Sequence, residues 1–425
     1  MGRTFLMIRS VGFALFTKLS GAATVFVALP LVARGVSAQD YTAFLTAMNV
    51  AAAIGLVFAP FGVLFIRDIA HAFASDDPKA PMEATRRCFS AHAALSLVVA
   101  ALFALAGALW AALYGLKPAI VVGVALNFLQ IAAGFGQIYR IAERTDHVTS
   151  LVQTAANLAL VGGLLALAHF GRLNDMTVCL VYFGAPALAD LCVFLQVAAT
   201  RGLSPKIGKN AFAALWARAP ESLPLFLSPF ADYVKIYASA MIALAVAGAH
   251  DYIVFSTSVL FIARLVNPLT LVTRPLMPAF IDALQRRDAL WLNGLRRALF
   301  AAAGLGAAVA ATLPFVVNRD LLALALPKEV GEVSAAFVLA CAYFAFSYAL
   351  VSLLAPLYIG ARRAVPYGVV NLAFTLAGAA AGALLALRFG AQGMMSAMAG
   401  FGTISVLVLL ASMDWGAARK PGQKP

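Results

Sequence analysis

The feature that most constrains this chain is a series of long apolar stretches that carry no charge. Eight stretches of more than 20 residues contain no Asp, Glu, Lys or Arg, and about 20 apolar residues suffice to cross a bilayer as a helix. Hydrophobic residues make up 63% of the sequence and charged residues 12%, whereas a soluble domain is nearer half apolar and a quarter charged. This composition excludes a soluble enzyme, a disordered chain and a disulfide-rich secreted module. The stretches are Tyr41–Ile66, Cys88–Leu116, Pro118–Tyr139, His147–Gly171, Ala298–Asn318, Val333–Ala361, Ala364–Leu387 and Phe389–Met413.

Four further apolar stretches carry charge in their interior. Together with the eight uncharged ones they predict twelve transmembrane helices. Transmembrane β-strands would be short and alternate in polarity, unlike these Ala-, Leu- and Val-rich runs. The predicted fold class is an all-α polytopic membrane protein. The charged stretches are Ser10–Ala33 with Lys18, Thr177–Thr200 with Asp190, Ser222–Ala247 with Asp232 and Lys235, and Tyr252–Ala279 with Arg264 and Arg274.

The basic residues between the stretches predict the orientation. One set of alternate loops, which includes both termini, holds 21 of the 31 Lys and Arg residues, and the other set holds 6. Because basic loops stay on the cytoplasmic side, we expect both termini in the cytoplasm. The net charge of +13 then reflects topology, so the expected partner is the phospholipid bilayer and no nucleic acid.

Motifs for enzymatic chemistry are missing from the sequence. Cys88, Cys179, Cys192 and Cys341 form no CxxC pair, and the five histidines have no metal-ligand spacing. No nucleotide-binding loop or nucleophile elbow is present. We therefore expect a transporter and no enzyme, without a cofactor or metal. The coupling ion, a proton or sodium, stays open.

A short repeat predicts two similar halves. Ala38–Phe44 (AQDYTAF) and Ala249–Phe255 (AHDYIVF) share four of seven residues, and each opens the second helix of a group of six. Since six is even, both halves have the same orientation. The predicted domains are an N-terminal six-helix lobe at 1–200, a cytoplasmic connector at 201–221, a C-terminal six-helix lobe at 222–412 and a basic tail at 413–425.

The repeat region also carries a family resemblance. "PLVARGVSAQDY" after the first helix and "ADYVKIY…AHDY…RLVNPLTLVTRPLMPAF" across the seventh and eighth resemble the polysaccharide-biosynthesis, or oligosaccharide-lipid, flippases. These belong to the multidrug/oligosaccharidyl-lipid/polysaccharide (MOP) exporter superfamily. The resemblance implies a V-shaped pair of lobes that moves lipid-linked sugars to the periplasmic leaflet by alternating access. It also implies that helices one, two, seven and eight line the central cavity.

The charges inside the predicted helices are the main site candidates. A charge at bilayer depth costs roughly 3 kcal/mol or more, so it usually faces a cavity or a partner. Asp232 and Lys235 are three residues apart and share a helix face. Lys235 is expected to contact phosphate, with Asp232 positioning it or exchanging protons; the alternative is a self-neutralising pair. Arg264 lies too deep to reach the interface easily, which favours a lumen role.

The remaining charges leave alternatives open. Lys18 and Arg274 lie either in the lumen or near enough to a helix end to extend to the interface. Asp190 has no cation in its own helix and is expected to pair across the lobe interface.

Uncharged polar residues at depth extend the candidate site. Asn49 and Asn267 are expected to contact sugar hydroxyls, and the alternative for such residues is interhelical hydrogen bonding. Similar positions are Asn127, Gln130, Gln137, Gln153 and Asn157. The predicted substrate-binding residues are Lys18, Asn49, Asp232, Lys235, Arg264, Asn267 and Arg274.

Three functions compete. The first is a flippase for a polyprenyl-pyrophosphate-linked oligosaccharide (an O-antigen or other lipopolysaccharide, capsule or exopolysaccharide unit), with other glycan-assembly membrane proteins as partners. Four intramembrane cations against two acids suit its anionic cargo. The second is a multidrug/cation antiporter of the same superfamily, which would favour buried acids in the first half, where only Asp190 lies. The third is a membrane-embedded glycan polymerase or ligase, which is expected to carry a large external catalytic loop. The longest predicted external loop, Asn318–Glu332, is mostly apolar.

Overall fold

The structure is a computed structural model. It describes residues 3–73, 75–114, 117–143, 145–203, 211–266, 280, 283–284, 286, 288–316, 326–330, 333–361 and 363–413.

The described residues divide into two compact units. Unit 1 comprises Met1–Pro229 with Ala325–Glu329, and unit 2 comprises Phe230–Leu324 with Val330–Pro425. The boundary lies inside a helix, after Pro229, whereas the sequence places the connector at 201–221. Residues 211–217 of that connector form a short helix that packs within unit 1. The domain limits drawn from the sequence stay a prediction.

Unit 1 is a bundle of long helices joined by short turns. Its helices are α1 (Arg3–Gly35), α2 (Ala38–Phe73), α3 (Ala80–Tyr114), α4 (Pro118–Ala133), α5 (Phe135–Ala142), α6 (Asp146–His169), α7 (Asp175–Arg201), α8 (Ala211–Ala217) and the start of α9 (Ala219–Tyr233). Helix α4 packs on α2 and α7, and α6 packs on α1 and α7.

Helix ends in unit 1 follow from local sequence. Pro118 occupies the first turn of α4, where its missing N–H costs nothing. The Asn174 side chain accepts a hydrogen bond from the Thr177 amide at 2.8 Å, and the Thr177 hydroxyl accepts one from the Asn174 amide at 3.0 Å. Together they form a capping box at the start of α7. Gly202 ends α7 at φ 57°, a left-handed conformation suited to glycine. These signals fix the turns between spans.

Unit 2 continues α9 into a π-helical segment, Val234–Ala238. Its other helices are α10 (Ser239–Ala247), α11 (Ala249–Val266), α12 (Ala289–Val316), α13 (Ala335–Gly360) and α14 (Ala364–Ser412), with a 3₁₀ turn at Lys328–Val330. Helix α13 packs along α14, and α10 and α11 also contact α14.

The 49-residue helix α14 contains a sharp break. Gly390 adopts φ 55° and ψ −140°, a conformation that only glycine adopts easily. The two arms fold against each other: a Cβ added at Gly378 would lie 3.4 Å from the Met398 sulfur, and one at Gly382 would lie 2.5 Å from that of Met394. The small residues at these positions allow the two arms to pack closely.

The described residues contain eleven helices long and apolar enough to span a membrane. Since the break at Gly390 divides the last of them, the count agrees with the twelve predicted spans. Leu102, Leu105 and Leu109 leave about 60% of their surface exposed along α3, and Leu384 in α14 leaves 71% exposed. Such apolar faces require a lipid environment. The protein is therefore an all-helical multi-pass membrane protein.

The repeated heptapeptides occupy similar environments in the two units. Tyr41 and Phe44 in unit 1 are fully buried, as are Tyr252 and Phe255 in unit 2. Each element forms the first turns of a helix. The buried aromatic pair explains why these residue types recur, because large rings anchor the start of a helix against its neighbours.

Candidate functional site

The π-helical segment of unit 2 holds Lys235 in an unusual stretch of backbone. The Ser239 amide donates to the Val234 carbonyl five residues back, which widens the helix by one residue. Such π segments arise mostly as single turns within α-helices, frequently at functional sites. The ring centroids of Tyr233 and Tyr237 lie 5.9 Å apart on this turn.

Lys235 is surrounded by side chains from three helical segments. Its Nζ donates to Asn371 Oδ1 of α14 at 3.3 Å and lies 5.2 Å from the ring centroid of Tyr348 on α13. Asp232 Oδ1 is 3.7 Å away. An amide oxygen, an aromatic face and a carboxylate together stabilise a buried ammonium.

The two members of the ion pair differ in exposure. The Lys235 side chain is 5% exposed, whereas that of Asp232 is 40% exposed. The pair that the sequence placed on one face does form. However, the ammonium lies inside the unit rather than open to a ligand, and the carboxylate is its exposed member. This arrangement resembles the self-neutralising alternative more than a direct phosphate contact by Lys235.

Tyr348 links this pair to Arg264. Tyr348 lies near both Asp232 and Arg264, so charged side chains from α9 and α11 approach the same residue of α13. Arg264 is half-buried near the end of α11. Among the residues that the structure describes, no carboxylate forms an ion pair with it. We refer to Asp232, Lys235, Tyr348, Asn371 and Arg264 as the cationic cluster, which holds two cations and one acid.

The other predicted site residues stand apart from this cluster. Lys18 is half-buried on α1, and Asn49 is fully buried on α2; both belong to unit 1. Asn49 is therefore not exposed to a ligand in this conformation. Arg274 and Asn267 lie outside the described residues. The roles of all seven residues as substrate contacts stay predictions.

Unit 1 contains a second polar site, centred on Asp190. Asp190 is 2% exposed and accepts hydrogen bonds from Gln137 of α5 and Gln153 of α6. Gln130 of α4 also lies near its carboxylate. Interhelical hydrogen bonding thus explains Gln137 and Gln153. The predicted pairing of Asp190 with a cation is not seen among the described residues of its own unit, where the amides solvate its carboxylate instead.

A cavity of about 390 Å³ opens beside Asp190. Helices α2 to α7 of unit 1 all contribute to its wall. Its lining includes Phe58, His92, Asn127 and the three glutamines. The only ionisable side chains among its lining residues are Asp190 and His92, so this polar cavity lacks Lys and Arg. We call it the amide pocket.

Sequence reasoning missed several of these features. Tyr348 and Asn371 lie in uncharged stretches more than 100 residues from Lys235, and no local signal marks them as its neighbours. The π segment has no recognised sequence signature. The polar residues of the amide pocket can each be recognised in the sequence, but their convergence depends on the packing of six helices. Among the described residues, no group of three or more His, Cys, Asp or Glu is placed to hold a metal ion.

Comparison with known proteins identifies the fold. No protein-family model matches the sequence, and no curated protein matches it. Solved structures do match. An inward-facing multidrug resistance MATE family transporter of the MOP superfamily has a TM-score of 0.67 at 14% identity, over 95% of this chain and 97% of that one.

Two further structures share the fold with different functions. The lipid II flippase MurJ, in an inward closed conformation, has a TM-score of 0.61 at 14% identity, over 95% of this chain and 87% of that one. The other is a MOP superfamily transporter from Pyrococcus furiosus, for which reverse polarity of the binding pocket suggests a different function. Its TM-score is 0.60 at 12% identity, over 97% of this chain and 94% of that one. This chain therefore has the MOP transporter fold.

Proposed function

We propose that this protein is a flippase for a polyprenyl-pyrophosphate-linked oligosaccharide, such as an O-antigen or other lipopolysaccharide unit, or a capsule or exopolysaccharide unit. It would act in the bacterial inner membrane by alternating access, with both termini in the cytoplasm and without enzymatic activity. The MOP fold supports transport, since the matching structures are transporters and a flippase. The choice of cargo rests on charge.

The excess of positive charge in the cationic cluster is the observation that carries this proposal. Asp232 lies 3.7 Å from Lys235 and neutralises that ammonium, so one unit of positive charge remains on Arg264. A guanidinium can bind two oxygens of a phosphate group at once. An interior with net positive charge offsets the desolvation of a pyrophosphate and opposes the entry of a cation.

The two cations have different parts in this proposal. Lys235 is enclosed by Asn371 and Tyr348, so it would hold Asp232 in place rather than contact the cargo. Arg264, which is half-buried and lacks an ion pair among the described residues, would make the direct contact with pyrophosphate. Lys18 and Arg274 remain proposed secondary contacts, and Asn49 and Asn267 proposed sugar contacts.

The test is transport of a fluorescent polyprenyl-pyrophosphate saccharide in proteoliposomes. Arg264→Ala should abolish flipping, whereas Arg264→Lys should retain part of it because one charge persists without bidentate geometry. Arg388→Ala is a matched control, since Arg388 contacts the neighbouring Phe389 ring at the far end of a span. Wild-type flipping by Arg264→Ala at equal protein level would refute the proposal.

The second candidate is a multidrug/cation antiporter of the same superfamily. It is favoured by Asp190, a buried acid that has no ion pair among the described residues and lies in a pocket lined by no Lys or Arg. Uptake of a cationic dye against a proton or sodium gradient, abolished by Asp190→Asn and unaffected by Arg264→Ala, would support this function instead. We propose a proton or sodium ion as the coupling ion in either case.

A further inference from the structure

The amide pocket of unit 1 has a chemistry that the cationic cluster lacks. We infer that it binds the neutral sugar part of the cargo through hydroxyl groups, an inference that rests on the proposed function. The charged and neutral parts of a lipid-linked oligosaccharide need different recognition, and the two chemistries occur in different units of this protein.

The pocket presents hydrogen-bond acceptors that need donors. The buried Oδ1 of Asn127 has no hydrogen-bond partner among the described residues, and an unsatisfied buried oxygen is costly. Gln137 and Gln153 donate to Asp190 through their nitrogens, so each still has an oxygen able to accept. A ligand rich in O–H groups satisfies such a set.

The same contacts argue against a metal ion. A carboxylate offers about four lone-pair sites, and two amide donors, from Gln137 and Gln153, already bind Asp190. A cavity of about 390 Å³ is also far larger than a site whose oxygens surround an ion at about 2–2.6 Å. It lies instead in the range of small-molecule pockets, about 300–1,000 Å³.

The apolar part of the wall suits a sugar ring. Gly55, Ala59 and Gly62 lie on one face of α2 and line the pocket, so a ring can approach the helix backbone closely. Phe58 and His92 meet edge to face, with ring centroids 5.3 Å apart, and supply an aromatic surface beside the polar groups. Phosphate finds no Lys or Arg in this lining, which separates the pocket from the cationic cluster.

A binding experiment in nanodiscs, which avoids sugar-based detergents, tests the inference. The probes are the repeat unit released by mild acid from the lipid-linked pool of the producing cells, and polyprenyl pyrophosphate without sugar. Asn127→Leu, which removes the acceptor, should weaken saccharide binding at least tenfold and leave polyprenyl pyrophosphate binding unchanged. Asn127→Asp, which keeps an acceptor, should retain binding of the saccharide.

A second variant distinguishes a specific loss of saccharide binding from misfolding of Asn127→Leu. A Cβ at Gly55 would lie 3.8 Å from Ile131, so Gly55→Val should fold, reduce the cavity and weaken saccharide binding without altering a polar group. Gly162→Ala, where the added Cβ meets nothing within 4 Å, is the control.

Three results would overturn the inference: saccharide binding that neither variant alters, no saccharide binding by the folded wild type, or thermal stabilisation by NaCl over choline chloride that Asn127→Leu abolishes. The last would identify the pocket as a cation site. In each case the proposed function survives if polyprenyl pyrophosphate binding still depends on Arg264. It fails separately if that binding does not.

Discussion

The carboxylate of Asp251 accepts a hydrogen bond from the backbone amide of Ala391 at 2.7 Å, directly after the break at Gly390. Asp251 opens α11, and Ala391 opens the second arm of α14. The negative charge lies at the N-terminal end of that arm, where it stabilises exposed amides. A residue of the duplicated heptapeptide thus fixes the point at which the last two spans separate.

Gly390→Ala should destabilise the protein by about 1–3 kcal/mol. The added Cβ would require a left-handed backbone at φ 55° and would overlap the Asp251 carboxylate. Thermal unfolding followed by fluorescence-detected size-exclusion chromatography measures the loss. Gly400→Ala, in the same helix with nothing within 4 Å of the added Cβ, should be nearly neutral; equal losses in both variants would contradict this account.

Lys235 and Asp232 should be energetically coupled. Lys235→Met alone leaves the Asp232 carboxylate unpaired and should lower the unfolding temperature, whereas Lys235→Met with Asp232→Asn should recover part of that loss. A double-mutant cycle should give a coupling energy of about 0.5–3 kcal/mol. Additive effects would show that the 3.7 Å separation has no energetic consequence. The double variant should retain part of the transport activity, because it removes one positive and one negative charge and leaves the net charge of the cluster on Arg264.

Glu143 should make stability depend on pH. Burial raises the pKa of its carboxyl. Hydrogen bonds from Thr145 and Tyr139 and the charge of Arg201 lower that pKa by a larger amount, so the folded pKa lies below the ordinary value. The ionised Glu143 carboxylate therefore stabilises the folded protein at pH values above its unfolded pKa of about 4.3. This stabilisation is lost as the pH falls through the folded pKa. Wild type should exceed Glu143→Gln in unfolding temperature at pH 6, and the difference should shrink toward pH 3.5. A constant difference would exclude this linkage.

Helix α5 should tolerate no side chain at Gly136. A Cβ there would lie 2.7 Å from the Phe194 nitrogen of α7, and backbone cannot yield as a flexible side chain does. Gly136→Ala should therefore destabilise by about 1–3 kcal/mol, measured by thermal unfolding in detergent. Gly107→Ala in α3, where the Cβ meets nothing within 4 Å, should behave as wild type; a similar loss there would point to a general effect of glycine replacement.

Both termini should lie in the cytoplasm. A reporter active only in the cytoplasm should be active when fused to the C-terminus, and inactive when inserted in the turn between α6 and α7 at Arg172. The excess of Lys and Arg in alternate loops is the physical reason. Activity at Arg172, or a periplasmic C-terminus, would contradict the orientation.

The sequence alone determined the helical spans, because transfer of each stretch into lipid depends on that stretch only. The all-α class, the division of α14 near Phe389 and the MOP-like fold were all predicted from apolar runs, charge and the resemblance. The tertiary structure decided which groups meet. Lys235 contacts Asn371 and Tyr348, and Asp190 accepts hydrogen bonds from Gln137 and Gln153. Each contact joins helices that are far apart in the chain. Such contacts are governed by packing and hydrogen bonding across helices, which leave no periodic signal in the sequence.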